Sequence, residues 1–174
     1  MRLFIAFTLP ADLIQQAMAY QPNADENIRL SSMANLHVTL HFLGDADPAL
    51  VHTALQEIKM DSFEACLSGT GQFSLPGANK ILWLGIEPCA ALLKLHDAIA
   101  HLLTGEGIHL SKHQYQPHLT LARCQSGYSA QKINNFLDNN FKPCWFDVNQ
   151  FSLFKSEVHD GKQVYTSLQS YMLA

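Results

Sequence analysis

The sequence His37-Val38-Thr39-Leu40-His41-Phe42-Leu43-Gly44 contains, within a run of aliphatic residues, a histidine followed two positions later by a threonine. A second stretch, His118-Leu119-Thr120-Leu121, repeats this arrangement. Side chains alternate across a β-strand, so residues two apart lie on the same face. Each stretch therefore predicts a strand with one apolar face and one polar face, and the polar face carries an imidazole and a hydroxyl group.

The two stretches occupy equivalent places in a repeated unit of the chain. An apolar strand beginning at Leu3 and then a helix precede the first, and a strand beginning at Ile81 and then a helix precede the second. This repetition predicts an internal duplication. We expect an α+β fold in which residues 1–174 form a single bilobal domain. Its two pseudo-symmetric lobes would consist of antiparallel-rich sheet with outer helices, and the active site would lie in the groove between them.

Further turn and helix signals divide the rest of the chain. Pro48 and Pro88 each mark the start of a helix, and another helix follows Ser129. The runs Phe146–Phe154 and Val164–Leu168 predict two closing strands that are joined by a tight turn.

Composition limits the kind of partner that this chain can bind. It has 174 residues, 48% of them hydrophobic, and a formal net charge of −4. Proteins that bind long stretches of nucleic acid depend on basic surfaces, so an RNA partner would be bound at its end. No run approaches the ~20 apolar residues of a membrane span, and the cysteines stand far apart, as in proteins whose thiols stay reduced. We expect a cytoplasmic monomer without membrane association.

The paired histidines suit a reaction that needs one acid and one base, because histidine titrates at about pH 6.5. The threonine hydroxyls add uncharged donors for a phosphoryl oxygen. A strained cyclic phosphate has an internal leaving oxygen, so its hydrolysis needs water activation on one side and protonation on the other. His37 and His118 could supply both. The sequence contains no obvious set of metal ligands, and we expect neither a metal ion nor another cofactor.

Two longer segments resemble the paired motifs of the two-histidine phosphoesterases, and most closely the bacterial RNA 2′,3′-cyclic phosphodiesterases, formerly called 2′-5′ RNA ligases. The segments are His37–Gly44 and Tyr115–Arg123, and the similarity extends to Arg2–Ala6 and Ile81–Gly85. The resemblance therefore covers nearly the whole chain. It implies metal-independent hydrolysis of RNA 2′,3′-cyclic phosphate ends to 2′-phosphates, with 2′-5′ RNA ligation as a weak side activity at most.

The resemblance also implies roles for individual positions. Six candidate site residues fall on the family's motifs: His37, Thr39 and Phe42 in the first, and His118, Thr120 and Arg123 in the second. By this resemblance His37 protonates the departing ribose 3′-oxygen and His118 activates water. Arg123 would hold the phosphate with its fork of donors, and Phe42 would stack on the terminal base. The two threonines would be further substrate contacts.

Ideal alternation places Phe42 and Arg123 on the opposite face from their histidines. Either each strand ends or bulges at this position, or the side chain reaches around the strand to the face that carries the histidine. Phe42 could instead be an ordinary core aromatic, and Arg123 a solvated or lobe-bridging residue. The same alternation predicts that His41 shares the polar face of the first strand and Ala122 that of the second, although nothing beyond this parity gives His41 a role.

The same residues are compatible with two other functions. A cleft of this kind could act on a small nucleotide that carries a cyclic phosphate or a 2′-5′ linkage, and the acidic isoelectric point favours a small or terminal substrate. It could also be a nucleotide-binding module without turnover, which would bind product and hydrolyse nothing. Arg29 and Lys112 could lend positive charge to a phosphate cleft, but both residue types are usually just solvated.

Overall fold

The computed structural model describes residues 1–174, which form nine β-strands and four α-helices. The strands are β1 (Arg2–Phe7), β2 (Ile28–Leu30), β3 (Val38–Asp45), β4 (Phe63–Ser74), β5 (Lys80–Ile86), β6 (His118–Cys124), β7 (Cys144–Val148), β8 (Gln150–His159) and β9 (Lys162–Met172). The helices are α1 (Ala11–Met18), α2 (Pro48–Leu55), α3 (Ala90–Gly105) and α4 (Ala130–Leu137). None of these helices has both the length and the hydrophobicity that crossing a bilayer requires.

All nine strands belong to one antiparallel sheet. Its order is β7-β4-β5-β6-β3-β1-β8-β9, and β2 pairs with the end of β6. At the centre, β3 and β6 are joined through a single residue pair, Val38 with Leu119. The sheet therefore consists of two halves that meet along these two strands. The predicted α+β fold with an antiparallel sheet is confirmed.

Equivalent parts of the chain occupy equivalent places in the two halves of the sheet. The unit β1-α1-β3 corresponds to β5-α3-β6, because each places its first strand beside the strand that carries the histidine motif. The next strand of each half comes from elsewhere in the chain. β8 pairs with β1, and β4, which follows the first unit, pairs with β5. Each half therefore contains strands that follow the other half's unit in the chain, and the two halves form one connected sheet.

The helices bury their apolar sides against the sheet. Fully buried residues of α3 recur at helical spacing: Leu92, Leu95, Ile99 and Leu103. They belong to the same hydrophobic core as the buried residues of the other three helices and as Leu119 of β6. The half-buried Thr39 and Thr120, which alternate with core residues along β3 and β6, lie outside this core.

The predicted helix starts agree closely with the structure. Pro48 is the first residue of α2, and the Asp47 side chain accepts a hydrogen bond from the backbone N–H of Ala49 at 3.0 Å. The helix predicted from Pro88 begins at Ala90, and α4 follows directly after its predicted boundary. Proline and capping side chains act locally, which is why sequence alone locates these ends.

The prediction of a single strand over Phe146–Phe154 is wrong. The segment contains β7 and β8 with Asn149 between them, and these strands pair in opposite halves of the sheet, β7 with β4 and β8 with β1. The apolar alternation changes parity at Asn149 and Gln150, from Phe146 and Val148 to Phe151 and Leu153, and this break is the local signal that the prediction missed. β4 had no prediction, because its two glycines, Gly69 and Gly71, are more typical of turns.

Candidate active site

The β3 strand bulges within the first motif. Its pairing with β1 skips Leu40, since Thr39 and His41 are paired with successive residues of β1. A bulge adds one residue to one strand and so reverses the faces of the side chains that follow. Phe42 therefore lies on the same face as Thr39, and its side chain is 66% exposed. Phe42 is thus not a core residue, and of the possibilities for this position the bulge is the correct one.

The same bulge moves His41 to the opposite face. His41 is buried, stacks on His96 of α3 with ring centroids 4.1 Å apart, and its Nε2 lies 2.8 Å from the His96 carbonyl oxygen. The prediction that His41 shares the polar face is therefore wrong. Its ring packs against the helix layer.

The β6 strand bulges at the equivalent position of the second motif. Its pairing with β5 skips Leu121, since Thr120 and Ala122 are paired with successive residues of β5. Arg123 consequently shares the face of Thr120 and is exposed, whereas Ala122 is fully buried in the core. The predicted face of Ala122 was wrong for the same reason as that of His41.

The central pair of strands brings the two motifs together at one cleft. Antiparallel pairing at the junction of β3 and β6 sets the histidine of each motif opposite the threonine of the other. These four side chains are all half-buried: His37, Thr39, His118 and Thr120. Arg123 shares their face of the sheet, and its positive charge lowers the pKa of both histidines.

The backbone orients both histidines in the same way. His37 Nδ1 donates to the carbonyl oxygen of Asn35 at 2.7 Å, and His118 Nδ1 donates to the carbonyl oxygen of Gln116 at 2.7 Å. A carbonyl oxygen only accepts, so Nδ1 carries the proton in both rings. Nε2 is then the nitrogen of each ring that can exchange a proton with a bound molecule.

The two Nε2 atoms differ in their surroundings. His37 Nε2 lies 3.1 Å from Thr39 Oγ1, whose hydroxyl donates to it when the ring is neutral. His118 makes its hydrogen bond through Nδ1 alone. The lone pair of His118 Nε2 is therefore free of protein partners.

Burial makes both histidines hard to protonate. Loss of solvent, with smaller contributions from nearby His118 and Arg123, lowers the pKa of His37 to about 4, although the hydrogen bond to Asn35 opposes the change. Burial likewise lowers the pKa of His118, with a contribution from Arg123. Both imidazoles are neutral near pH ~7 unless a negative charge is brought to the cleft.

Aromatic side chains around His37 were missed by the sequence interpretation. The ring centroid of Phe4 lies 4.9 Å from that of His37, and the edge of Tyr165 lies at a centroid distance of 5.1 Å. Phe4 also lies 6.1 Å from Phe42 and so links that exposed ring to the histidine. Phe4 alternates with core residues of β1, which could have indicated its face, whereas nothing local identified Tyr165, since β9 joins the sheet at its far edge.

A second aromatic pair surrounds His118. The centroid of Phe73 lies 4.8 Å from that of His118, and the centroid of Trp83 lies 5.9 Å away. Trp83 lies flat against the backbone of β4, where a Cβ atom on Gly71 would come within 2.1 Å of its ring. Its indole N–H is buried and has no acceptor within the protein. Gly71 is thus required by the close approach of this ring.

No group of three histidine, cysteine, aspartate or glutamate side chains lies close enough together to hold a metal ion. Lys112, which could have added charge to the cleft, is exposed in the loop before β6. The polar motif residues at the cleft are thus the two histidines, the two threonines and Arg123, with aromatic rings beside the histidines.

The chain is similar to proteins of one family along most of its length. The profile of the 2′-5′ RNA ligase superfamily matches residues 10–160. The RNA 2′,3′-cyclic phosphodiesterase of Thermotoga maritima is 26% identical over 143 residues, which cover 79% of this chain and 75% of the relative. The RNA 2′,3′-cyclic phosphodiesterase of Methanothermobacter thermautotrophicus is 24% identical over 182 residues, covering 99% of this chain and 98% of the relative.

Solved structures show the same similarity. The crystal structure of E. coli LigT complexed with 3′-AMP matches this fold with a TM-score of 0.80 at 25% identity, and the match covers 99% of this chain and 97% of LigT.

Proposed function

Because the chain belongs to the 2′-5′ RNA ligase superfamily, we propose that it hydrolyses the 2′,3′-cyclic phosphate at the end of an RNA strand to a 2′-phosphate. The relatives that are named RNA 2′,3′-cyclic phosphodiesterases support this reaction. The observation that carries the proposal is the pair of half-buried histidines, each fixed through Nδ1 by a backbone carbonyl. Such a pair leaves two Nε2 atoms for a reaction that needs one acid and one base.

In this mechanism His118 is the base and His37 is the acid. His118 Nε2 accepts a proton from water while the water oxygen bonds to phosphorus. The bond from phosphorus to the ribose 3′-oxygen breaks, and His37 Nε2 delivers its proton to that oxygen. The unpartnered Nε2 of His118 supports its role as the base, and the family resemblance supports the same assignment.

The acid role requires His37 to be protonated, although burial holds its pKa at about 4. The negative charge of a cyclic phosphate in the cleft opposes this effect, because a nearby opposite charge favours the charged form of an imidazole. Once Nε2 carries a proton it can no longer accept from the Thr39 hydroxyl, and that hydroxyl could then donate to a phosphoryl oxygen. The substrate would thus supply the charge that makes His37 an effective acid.

The remaining motif residues would bind the substrate. Arg123, which is exposed and shares the face of the histidines, would hold the phosphate through two parallel N–H donors. Thr120 would contribute an uncharged donor. Phe42, with most of its ring exposed beside the cleft, would stack on the terminal base.

The cellular setting is part of the proposal. We place the protein in the cytoplasm, which agrees with four free cysteines, two of them buried, and we take it to act as a monomer without a metal ion. Ligation to a 2′-5′ bond would use the same geometry with an RNA hydroxyl in place of water. Water is far more concentrated than RNA ends, so ligation would be a minor activity.

The test is hydrolysis of a short RNA that ends in a 2′,3′-cyclic phosphate, with EDTA present. The native protein should produce a 2′-phosphate, and His37→Ala and His118→Ala should each be slower by roughly 10²–10⁴-fold. His101→Ala, which removes an exposed histidine from α3, is the matched control. If the native protein binds the product but hydrolyses nothing, it is a binding module, and the proposed reaction is wrong.

A further inference from the structure

Two arginines stand directly opposite each other beside the cleft. Arg29 of β2 and Arg123 of β6 are cross-strand partners in the antiparallel pairing of these strands. Directly opposed residues share a face of the sheet and have Cα atoms about 4.5–5.5 Å apart. Both side chains are exposed. The two side chains therefore start from neighbouring positions on the face that carries the histidines.

Neither arginine has a carboxylate partner. The ion pairs of the chain are formed by lysines, histidines and the N-terminus. Like charges that face each other across a strand pair are destabilising, and this chain has 15 acidic residues that could have neutralised them. An arginine pair left without internal partners is suited to binding an anion from outside the protein.

A cavity of about 490 Å³ adjoins the two arginines. Lys80 of β5 also lines it, so that Arg29, Arg123 and Lys80 surround one space. The Lys80 ammonium donates to Ser74 Oγ at 2.7 Å and keeps two further N–H donors. Glu26 is the one acidic residue in the lining, which contains three cationic residues. The cavity therefore favours a negatively charged occupant.

The cavity lies next to the place where the cyclic phosphate of the substrate would bind. His118 begins β6, and Arg123 lies near the other end of this strand. A cyclic phosphate held between the histidines and Arg123 would leave the cavity beyond Arg123, on the side away from His118. A mononucleoside would not fill that space, whereas a longer strand could continue into it.

We infer that Arg29 and Lys80 form a second phosphate subsite, which binds the phosphodiester on the 5′ side of the terminal nucleotide. The inference rests on the proposed function and names the substrate class as the end of an RNA strand. Asn79 and Gln125, which also line the cavity, offer amide groups to the adjoining ribose or base. The charged subsite reconciles an RNA substrate with a chain of net charge −4, because only the terminal phosphates need to be neutralised.

The test compares substrates that differ in their second phosphate. The substrates are a nucleoside 2′,3′-cyclic phosphate, the same nucleotide with a 5′-phosphate, a dinucleotide ending in the cyclic phosphate, and that dinucleotide with an uncharged methylphosphonate link. We expect the dinucleotide to have a kcat/KM roughly tenfold or more above that of the nucleoside, because hydrogen bonds to charged groups are strong. The methylphosphonate link should abolish most of this gain.

Variants of Arg29 and Lys80 test whether the higher kcat/KM of the dinucleotide depends on the second phosphate subsite. Arg29→Ala and Lys80→Ala should each lower kcat/KM for the dinucleotide roughly tenfold more than for the nucleoside, and should weaken the salt dependence of dinucleotide hydrolysis. Arg29→Lys should retain most of the gain, since it keeps the charge. Lys94→Ala, an exposed lysine of α3, is the control for net charge.

The outcomes separate the two proposals. If the native protein hydrolyses neither substrate, the proposed function itself is wrong. If it hydrolyses nucleoside and dinucleotide equally well, or if Arg29→Ala affects both equally, the reaction stands and the second subsite is wrong. A 5′-phosphate on the nucleoside places a charge at the same position and should reproduce much of the gain. If it produces no gain, and if the methylphosphonate link keeps the gain of the dinucleotide, the subsite does not bind this phosphate and the inference is overturned.

Discussion

Val38 of β3 and Leu119 of β6 are cross-strand partners, and each directly follows a histidine of the proposed acid–base pair. Both are fully buried. This pair is the backbone junction between the two halves of the sheet, so it controls how closely the two imidazoles approach. Their titrations are consequently linked, since His118 contributes to the lowered pKa of His37.

The pH dependence of hydrolysis should reflect this shared burial. The base is lost as pH falls through its lowered pKa, and the acid is lost as pH rises through its own lowered pKa. Because both pKa values lie below the ordinary value of about 6.5, the bell-shaped profile of kcat/KM, which reports the free enzyme, should be centred on the acid side of pH ~6.5. A profile centred at or above that pH would contradict the lowered pKa values.

The buried His41 should make folding stability depend on pH. Burial lowers its pKa to about 4, whereas in the unfolded chain it titrates at about 6.5. The unfolded state therefore binds more protons between these values, so stability falls as pH decreases from about 6.5 to about 4. Over this pH range His41 alone would lower the free energy of unfolding by about 3 kcal/mol. Urea unfolding at several pH values would measure it.

Replacement of His41 separates its contribution to the pH dependence of stability from that of the other histidines. His41→Leu should lose a large part of the pH dependence, and the remainder should come from His37 and His118, whose pKa values are also lowered. An unchanged pH dependence in His41→Leu would show that His41 is not the buried titrating group.

Phe42→Ala should weaken substrate binding without weakening the fold. The ring is 66% exposed, so its removal costs little core packing. Loss of base stacking costs about 1–3 kcal/mol, which corresponds to an increase in KM of roughly 5- to 150-fold for the RNA substrate. Phe42→Tyr keeps the aromatic face and is the control. An unchanged KM alongside native stability would remove Phe42 from the substrate-binding residues.

Gly71→Ala should displace Trp83 and disturb the neighbouring His118. The new Cβ would lie 2.1 Å from the indole ring, and relief of such overpacking costs about 1–3 kcal/mol. We expect a lower melting temperature, an altered tryptophan emission and a lower kcat. Gly105→Ala, where nothing lies within 4 Å of the added Cβ, is the matched control. If Gly71→Ala matches native protein in all three measurements, the indole does not support His118.

Several features of the fold were predictable because they depend on neighbouring residues alone. Pro48 and Asp47 determine the start of α2 through the backbone geometry of one turn. The leucines of α3 recur at helical spacing and so reveal its buried side. The two histidine–threonine pairs are visible for the same reason, since alternation along a strand puts each pair on one face.

Other features depended on strands that are distant in the chain. Asn149 separates two strands that join opposite halves of the sheet, and local spacing can mark a break there but not the half that each strand joins. Tyr165 reaches His37 from β9, and Phe73 reaches His118 from β4. No spacing rule connects these positions, because their proximity results from the order of strands in the sheet.

By itself, the sequence determined the α+β class, the repeated unit, and the pairs His37–Thr39 and His118–Thr120, because periodicity and local turn chemistry specify such features. Only the tertiary structure decided which side chains after each threonine enter the cleft. A β-bulge is set by the register between two strands, and it reverses the faces of the residues that follow it, up to the next irregularity. That register brings Phe42 and Arg123 to the histidines, and the pairing of β2 with β6 brings Arg29 beside them.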